Sequence, residues 1–303
     1  MQYRFFTADV FTDRAFGGNQ LAVLPEAQGL DDRRMQQVAR EFNFPETVFV
    51  FPPQHARHTR RLRIFTPGHE VPFAGHPTVG TAHVLSSAGL VSLEGALTRI
   101  VFEEKVGPVP VSIRAAGGQP VFCQLTAAQP PEFGPPPPDA AAIAAAISLH
   151  PSDVRQDEYA PQMVSAGLPF LCVPLKDRQA VARARLNLEA WEKEISQNWA
   201  PYVFFFAFDP ELEGSDIRAR MFAPSAGIPE DPATGSAAAA MGGYLGLRSG
   251  ESDQTLRWRI EQGFEMGRPS LIDIEVEKRK GRIEAIRVGG PSVLVTQGTI
   301  EIP

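Results

Sequence analysis

The sequence predicts a mixed α+β protein made of two related halves, and two observations carry that prediction. The first is the stretch Pro72-Phe73-Ala74-Gly75-His76-Pro77-Thr78-Val79-Gly80-Thr81-Ala82, where a glycine beside a polar side chain opens a helix of small residues. The second is that Glu230-Asp231-Pro232-Ala233-Thr234-Gly235-Ser236-Ala237-Ala238 repeats the plan in the other half of the chain. Both are approached alike, after Phe65-Thr66-Pro67 and after Phe222-Ala223-Pro224. A strand ending in an aromatic-small-proline triplet thus leads through a loop into a helix twice, which reads as two halves facing one site.

Such a turn suits chemistry because the first amides of a helix lack partners within it and, with the helix dipole, favour an anion. Gly75 and Gly235 let a ligand approach the backbone closely. Pro77 fits a first helical turn, where a missing N–H is harmless, and the run from Thr78 to Leu85 propagates the helix. Ala237 to Met241 does the same in the second copy.

At 303 residues the chain can bury a sizeable core as one large domain or two ordinary ones. Charged residues at 21% and apolar residues at 43% are those of a soluble globular protein. A formal net charge of −6 without a basic stripe argues against nucleic acid as a partner. The densest basic run, Lys278 to Arg282, reads as a solvated hairpin turn. Cys123 and Cys172 read as buried small hydrophobes in a reducing compartment. No leader pattern is visible, and the most apolar run, Tyr202 to Phe208, is too short to cross a bilayer, so the expected location is cytoplasmic, without a membrane partner.

Taken in order, Tyr3 to Phe11 reads as a strand, Gly17-Gly18 as a turn and Gln20 to Leu24 as a second strand. Asp31 or Asp32 can cap a helix through Phe42, since Met35, Val38, Ala39 and Phe42 recur at helical spacing. Pro45 ends it, because the residue before a proline avoids the helical conformation. Glu46 stands at this break. Thr47 to Phe51, β-branched and aromatic, is the next strand; Gln54 to Arg61 is a turn, and Leu62 to Phe65 a strand. Arg99 to Phe102, Val109 to Ile113 and Pro120 to Leu125 follow as strands.

Gln129 to Pro138, with four consecutive prolines, reads as an extended linker, which divides the chain into residues 1–128 and 129–291. Asp139 then caps an alanine-rich helix to Ile147. Phe170 to Leu175, Tyr202 to Phe208 and Ile217 to Phe222 are strands, with a helix over Leu188 to Trp199. Four strands close the chain, near Leu256 to Gln262, Leu271 to Val276, Ile283 to Val288 and Ser292 to Ile302; the last, 292–303, is assigned to the first half. Gly242-Gly243 reads as a helix exit and Gly289-Gly290 as a hairpin turn.

Among ionisable residues, Glu46 is placed as a general base for removing a proton from carbon. His76, beside Gly75, suits proton exchange near neutral pH. Asp231 before Pro232 suits a turn initiator, and Ser236 a helix cap. The remaining histidines lack metal-ligand spacing, so no metal is expected, and no phosphate-binding loop, dinucleotide fingerprint or serine nucleophile elbow is present.

Pro45-Glu46-Thr47-Val48-Phe49, the Phe73 to Ala82 block, the Glu230 to Ala237 block, and the opening Phe6-Thr7-Ala8-Asp9-Val10-Phe11 with Gly18-Asn19-Gln20-Leu21-Ala22-Val23 resemble the signature blocks of the PhzF phenazine-biosynthesis family. The resemblance covers essentially the whole chain. It implies the diaminopimelate-epimerase-like fold, two pseudo-symmetric halves, each a curled, mostly antiparallel sheet around a central helix. It implies a cofactor-free isomerase in which Glu46 moves a proton between ring carbons of trans-2,3-dihydro-3-hydroxyanthranilate. His76 and Asp231 would assist, and Gly75, Gly235 and Ser236 would hold the small carboxylate substrate. Family members are often homodimers. Residue 45 is Pro where the family often has Ser, which removes one hydroxyl contact. Racemases of this fold use a thiol before each site glycine, and Ala74 and Thr234 stand there instead. An epimerase of a small amino or hydroxy acid, needing a second base facing Glu46, and a non-catalytic small-acid-binding dimer are the competing readings.

Overall fold

Near-continuous burial of its central strands, with alternation in its outer ones, makes the first unit a sheet with one helix on each face. The structure is a computed structural model that describes all residues, Met1–Pro303. It separates into two units, Met1–Ala128 with Gly289–Pro303, and Gln129–Val288. The first contains β1 (Gln2–Val10), β2 (Asn19–Leu24), α1 (Asp32–Phe42), β3 (Glu46–Phe51), β4 (Arg60–Phe65), β5 (Glu70–Val71), α2 (Gly75–Ser87), β6 (Leu97–Glu104), β7 (Gly107–Ala116) and β8 (Gln119–Thr126). The C-terminal strand, Ser292–Glu301, pairs antiparallel with β1.

The sheet runs C-terminal strand, β1, β2, β3, β4, β6, β7, β8, with β5 on β4. Only β2–β3 and β4–β6 are parallel, each joined by a helix, since parallel neighbours need a crossover. The helices α1 and α2 differ as their sequences require. Amphipathic α1 lays Met35, Val38 and Ala39 on a cluster with Phe49, Phe51 and Phe65. By contrast α2 is buried from Gly75 to Ser86 and packs against β1, β2, β3, β7, β8 and the C-terminal strand. A helix apolar on every side must be enclosed, and the curled sheet encloses it.

The second unit repeats the order with β9 (Glu132–Phe133), α3 (Ala140–Ala146), β10 (Gln162–Ser165), β11 (Pro169–Pro174), α4 (Arg178–Arg183), α5 (Leu188–Glu194), β12 (Tyr202–Ala207), β13 (Ile217–Ala223), β14 (Ile228–Asp231), α6 (Gly235–Arg248), β15 (Gln254–Gln262), β16 (Ser270–Arg279) and β17 (Arg282–Gly290). Its parallel pairs, β11–β12 and β13–β15, are again the ones joined through helices. The helix α6 is buried and packs against β10, β11 and β16. Neither buried helix is an 18-residue apolar span, and no helix is long and apolar enough to cross a membrane.

Several expectations change. Gly242 and Gly243 lie inside α6, not at its exit, because a Cβ at Gly242 would come within 2.8 Å of Ile286 Cγ2 and one at Gly243 within 2.7 Å of Pro131 Cβ. Gly289 and Gly290 end β17 instead of forming a turn; a Cβ at Gly289 would meet the Cys123 carbonyl at 2.6 Å. The helix expected over Leu188 to Trp199 ends at Glu194. There Ser196 Oγ and Asn198 Nδ2 donate to the Glu192 and Glu194 carbonyls, capturing acceptors that a longer helix would use. Lys278 is buried, and its Nζ donates to the Gly246 and Ser249 carbonyls, closing the end of α6. The proline-rich segment is not free of structure, for β9 pairs with β10. Both thiols are buried and unpaired, as expected.

Candidate active site

Six helices sort into two kinds by their first turns. The N-caps Asp31, Asp139, Asp177 and Asn187 of α1, α3, α4 and α5 each accept a backbone N–H with the side chain. The N-caps of α2 and α6, Ala74 and Thr234, make no side-chain cap bond. Alanine has no acceptor to offer, and Thr234 turns its hydroxyl to Asp231 Oδ2, 2.5 Å away. The two uncapped helices are the two opened by the repeated motif, and their first amides are not satisfied by a cap.

In the first unit, α1 ends at Asn43, whose left-handed backbone (φ 53°) turns the chain out of the helix, and β3 begins at Glu46. Glu46 lies opposite Leu21 in the β2–β3 register, beside the strand that carries Asn19. Across from it, His76 projects from the first turn of α2, its Nε2 3.3 Å from Glu46 Oε2. Asn19 Nδ2 lies 3.2 Å from His76 Nδ1, which holds the ring with Nε2 toward the carboxyl. Burial lowers the imidazole to about 3, against a weaker opposing effect of a backbone hydrogen bond at Gln20. The pair is therefore a carboxyl group beside a neutral imidazole, not an ion pair. The expectation of a histidine titrating near neutral pH is corrected by this desolvation.

The loop before α2 is held by Arg63, which donates from Nε and one terminal nitrogen to the two oxygens of Glu70, both at 2.7 Å. In the second unit Arg220 holds Glu230 in the same fork, at 2.7 and 2.8 Å. Two-point pairing of this kind fixes direction as well as distance. Asp231, buried at the end of β14, receives the Thr234 hydroxyl, and Gln262 Nε2 donates to the Asp231 carbonyl at 2.8 Å and to Thr234 Oγ1 at 3.0 Å. Gln262 Oε1 accepts from the Thr234 amide at 3.1 Å, and Ser270 Oγ donates to the Pro232 carbonyl at 2.9 Å. Ser236 is not the cap of α6; it is the second helical residue and stays partly exposed on an otherwise buried first turn.

Glu46 and His76 are thus brought together in one unit, with Gly75 starting the adjacent helix. Asp231, Gly235 and Ser236 share one turn of the other. Sequence reasoning gave no role to Asn19, Gln262, Arg63 or Arg220. The arginines had a signal: Arg61-x-Arg63-x-Phe65-x-Pro67 and Arg218-x-Arg220-x-Phe222-x-Pro224 extend the repeated triplet backwards, each followed by Glu70 or Glu230.

Two sheet-and-central-helix units, one of which sets a carboxyl against a neutral imidazole, define a class of protein that comparison with known proteins identifies. The sequence matches the family described as phenazine biosynthesis-like protein (PhzC-PhzF) over residues 8–298. It is 39% identical to an uncharacterized isomerase of Mesorhizobium japonicum, covering 100% of both chains. It is 32% identical to the trans-2,3-dihydro-3-hydroxyanthranilate isomerase of Pseudomonas aeruginosa, over 98% of each. The solved phenazine biosynthesis protein of the PhzF family from Bacillus anthracis superposes with a TM-score of 0.89 at 27% identity, covering 100% of both chains. The chain belongs to the PhzC-PhzF family, has the diaminopimelate-epimerase-like fold and is an isomerase.

Proposed function

We propose that this isomerase moves a proton between carbons of a small cyclic carboxylate, with trans-2,3-dihydro-3-hydroxyanthranilate the first substrate to test. Glu46 takes the proton from one ring carbon, the electron pair left behind delocalises over the conjugated ring, and the proton returns to another carbon, so the atoms balance without an oxidant or reductant. The observation that carries the reading is Glu46 facing a desolvated His76 at 3.3 Å, beside a helix whose first turn has no side-chain cap. Neutral His76 lends or accepts a hydrogen bond as Glu46 changes charge. In the first unit the amide at Gly75, in the uncapped first turn of α2, favours the substrate carboxylate. In the second unit Gly235 opens the other uncapped helix, and Asp231, oriented by Thr234, and Ser236 offer polar groups suited to a small acid.

The substrate reading is supported by the named Pseudomonas relative and limited by Pro45, which offers no hydroxyl where the family often has one. The test is proton NMR in deuterated buffer with this compound and a panel of small amino and hydroxy acids, wild type beside Glu46→Gln. Deuterium entering carbon only with wild type supports the reading; equal incorporation by the variant overturns it. We read the protein further as a cytoplasmic homodimer, supported by its two unpaired thiols and by the family resemblance. A monomer mass in sedimentation would remove the dimer.

A further inference from the structure

The protein buries a carboxyl group that the proton-transfer scheme does not use. Glu104, at the end of β6, is 8% exposed, and its Oε1 lies 2.7 Å from Thr78 Oγ1. The same hydroxyl lies 2.8 Å from the Ala74 carbonyl. A hydroxyl has one proton, and a carbonyl only accepts. Thr78 thus has one proton for two acceptors when Glu104 is ionised, whereas a protonated Glu104 can donate to Thr78 and leave that proton to Ala74. Its other oxygen, Oε2, is buried with no hydrogen-bond partner. As a carboxylate that buried atom would carry charge without a hydrogen-bond donor, whereas as the carbonyl of an acid it costs far less.

The second unit shows what a neutral group does at this place. Glu103-Glu104 and Glu261-Gln262 end equivalent strands, with Glu103 in register opposite Arg61 and Glu261 opposite Arg218. Gln262 uses its donor on Asp231 and Thr234 and its acceptor on the Thr234 amide, which locks the turn entering α6. A protonated carboxyl has nearly the shape of a carboxamide and shares its carbonyl acceptor, offering one donor where the carboxamide offers two.

We propose that Glu104 is a positioning residue kept as a carboxylic acid, which through Thr78 fixes the turn from Ala74 to Thr78 on which His76 stands. Burial, opposed only by the Thr78 bond, raises its pKa to about 8. None of the charged groups around it forms an ion pair with it, although Arg61 keeps a buried Nε without a hydrogen-bond partner. Arg63 and Lys105 bond Glu70, Glu103 accepts the Gln54 and His55 amides, and Arg61 stacks on Phe51. From α2, His76 and His83 are both held neutral by burial, and β7 places Gly107 opposite. Ionising Glu104 therefore gains no ion-pair partner and leaves the single Thr78 proton shared between the carboxylate and Ala74.

This inference rests on His76 belonging to the active site, yet its test needs no substrate. The His76 ring signals of the free protein are followed by NMR from pH 6 to 10 in wild type, Glu104→Gln and Glu104→Ala. The expected result is a shift of the wild-type signal with its midpoint near pH 8, a pH-independent signal near the neutral wild-type position in Glu104→Gln, and a displaced signal in Glu104→Ala. A wild-type signal that stays still across that range, or the same transition in Glu104→Gln, overturns the proposal. Should the Glu104 variants fail to fold, Thr78→Val removes the bridging hydroxyl at constant shape. It should displace the His76 signal, and an unmoved signal again overturns the proposal. Deuterium incorporation measured alongside separates the two readings: loss of Glu46-dependent exchange would refute the reaction without touching the titration.

Discussion

The turns that open α2 and α6 share backbone plan, buttressing arginine fork and missing cap, and differ in every side chain that could carry chemistry. His76 stands where the other has Ser236, Ala74 where it has Thr234, and Glu104 where it has Gln262. The first turn sets a carboxyl of β3 against a desolvated imidazole, whereas the second ties Asp231 into a web of hydrogen bonds. Under the proposed reading one duplicated frame serves two tasks, proton movement in one copy and polar recognition in the other. The scaffold demands only small residues and a Gly at the helix start.

The comparison breaks first at Glu46. Its replacement by Gln should lower turnover by roughly two to four orders of magnitude, the usual value of a positioned acid or base, while Ser236→Ala should cost about tenfold. Equal losses in kcat would mean that the two turns do not divide the work as proposed. Next come the glycines that let the central helices sit close to their sheets. A Cβ at Gly80 would fall 2.5 Å from Val10 Cγ2 and 2.6 Å from Leu21 Cδ2. Gly80→Ala should therefore destabilise by about 1–3 kcal/mol in urea titrations, through overpacking, and Gly242→Ala, with contacts at 2.8 and 3.1 Å, by somewhat less.

The pH dependence sharpens the contrast between Glu104 and Gln262. A folded-state pKa raised from 4.5 to about 8 gives stability that is complete below the unfolded value and is lost as pH rises through the folded one. His76 and His83, lowered from 6.5 to about 3 and about 4, act in the opposite sense, their contribution being lost as pH falls below 6.5. The clean window is therefore pH 6.5 to 8. There wild type should lose on the order of 2 kcal/mol and Glu104→Gln should stay level; parallel curves would contradict a protonated Glu104. The smallest effect belongs to the capped helices: Asp139→Ala should cost about 1 kcal/mol of stability and leave turnover alone, since Asp139 caps a surface helix of the second unit.

Much of this is written in the sequence itself. Asp31, the Met35-Val38-Ala39 spacing and the strand periods determined which segments became helix and strand, because period and capping are local properties. The repeated triplet-loop-glycine order likewise determined that the fold has two copies of one plan, and the same stretch placed Gly75, His76, Gly235 and Ser236 at helix starts.

Other features were decided only by neighbours distant in sequence. Gly242 and Gly243 read locally as a helix exit, yet they lie within α6 because Ile286, Ile274 and Pro131 leave no room for a side chain. His76 read as a neutral-pH proton carrier until burial removed the water that would stabilise its cation. Glu104 looked like any strand-end carboxylate. Its environment is set by α2 packing over it, and by a single threonine hydroxyl that it shares with the Ala74 carbonyl. Periodicity and turn chemistry are written along the chain. Desolvation and the sharing of protons depend on what tertiary packing brings alongside, and so on the fold.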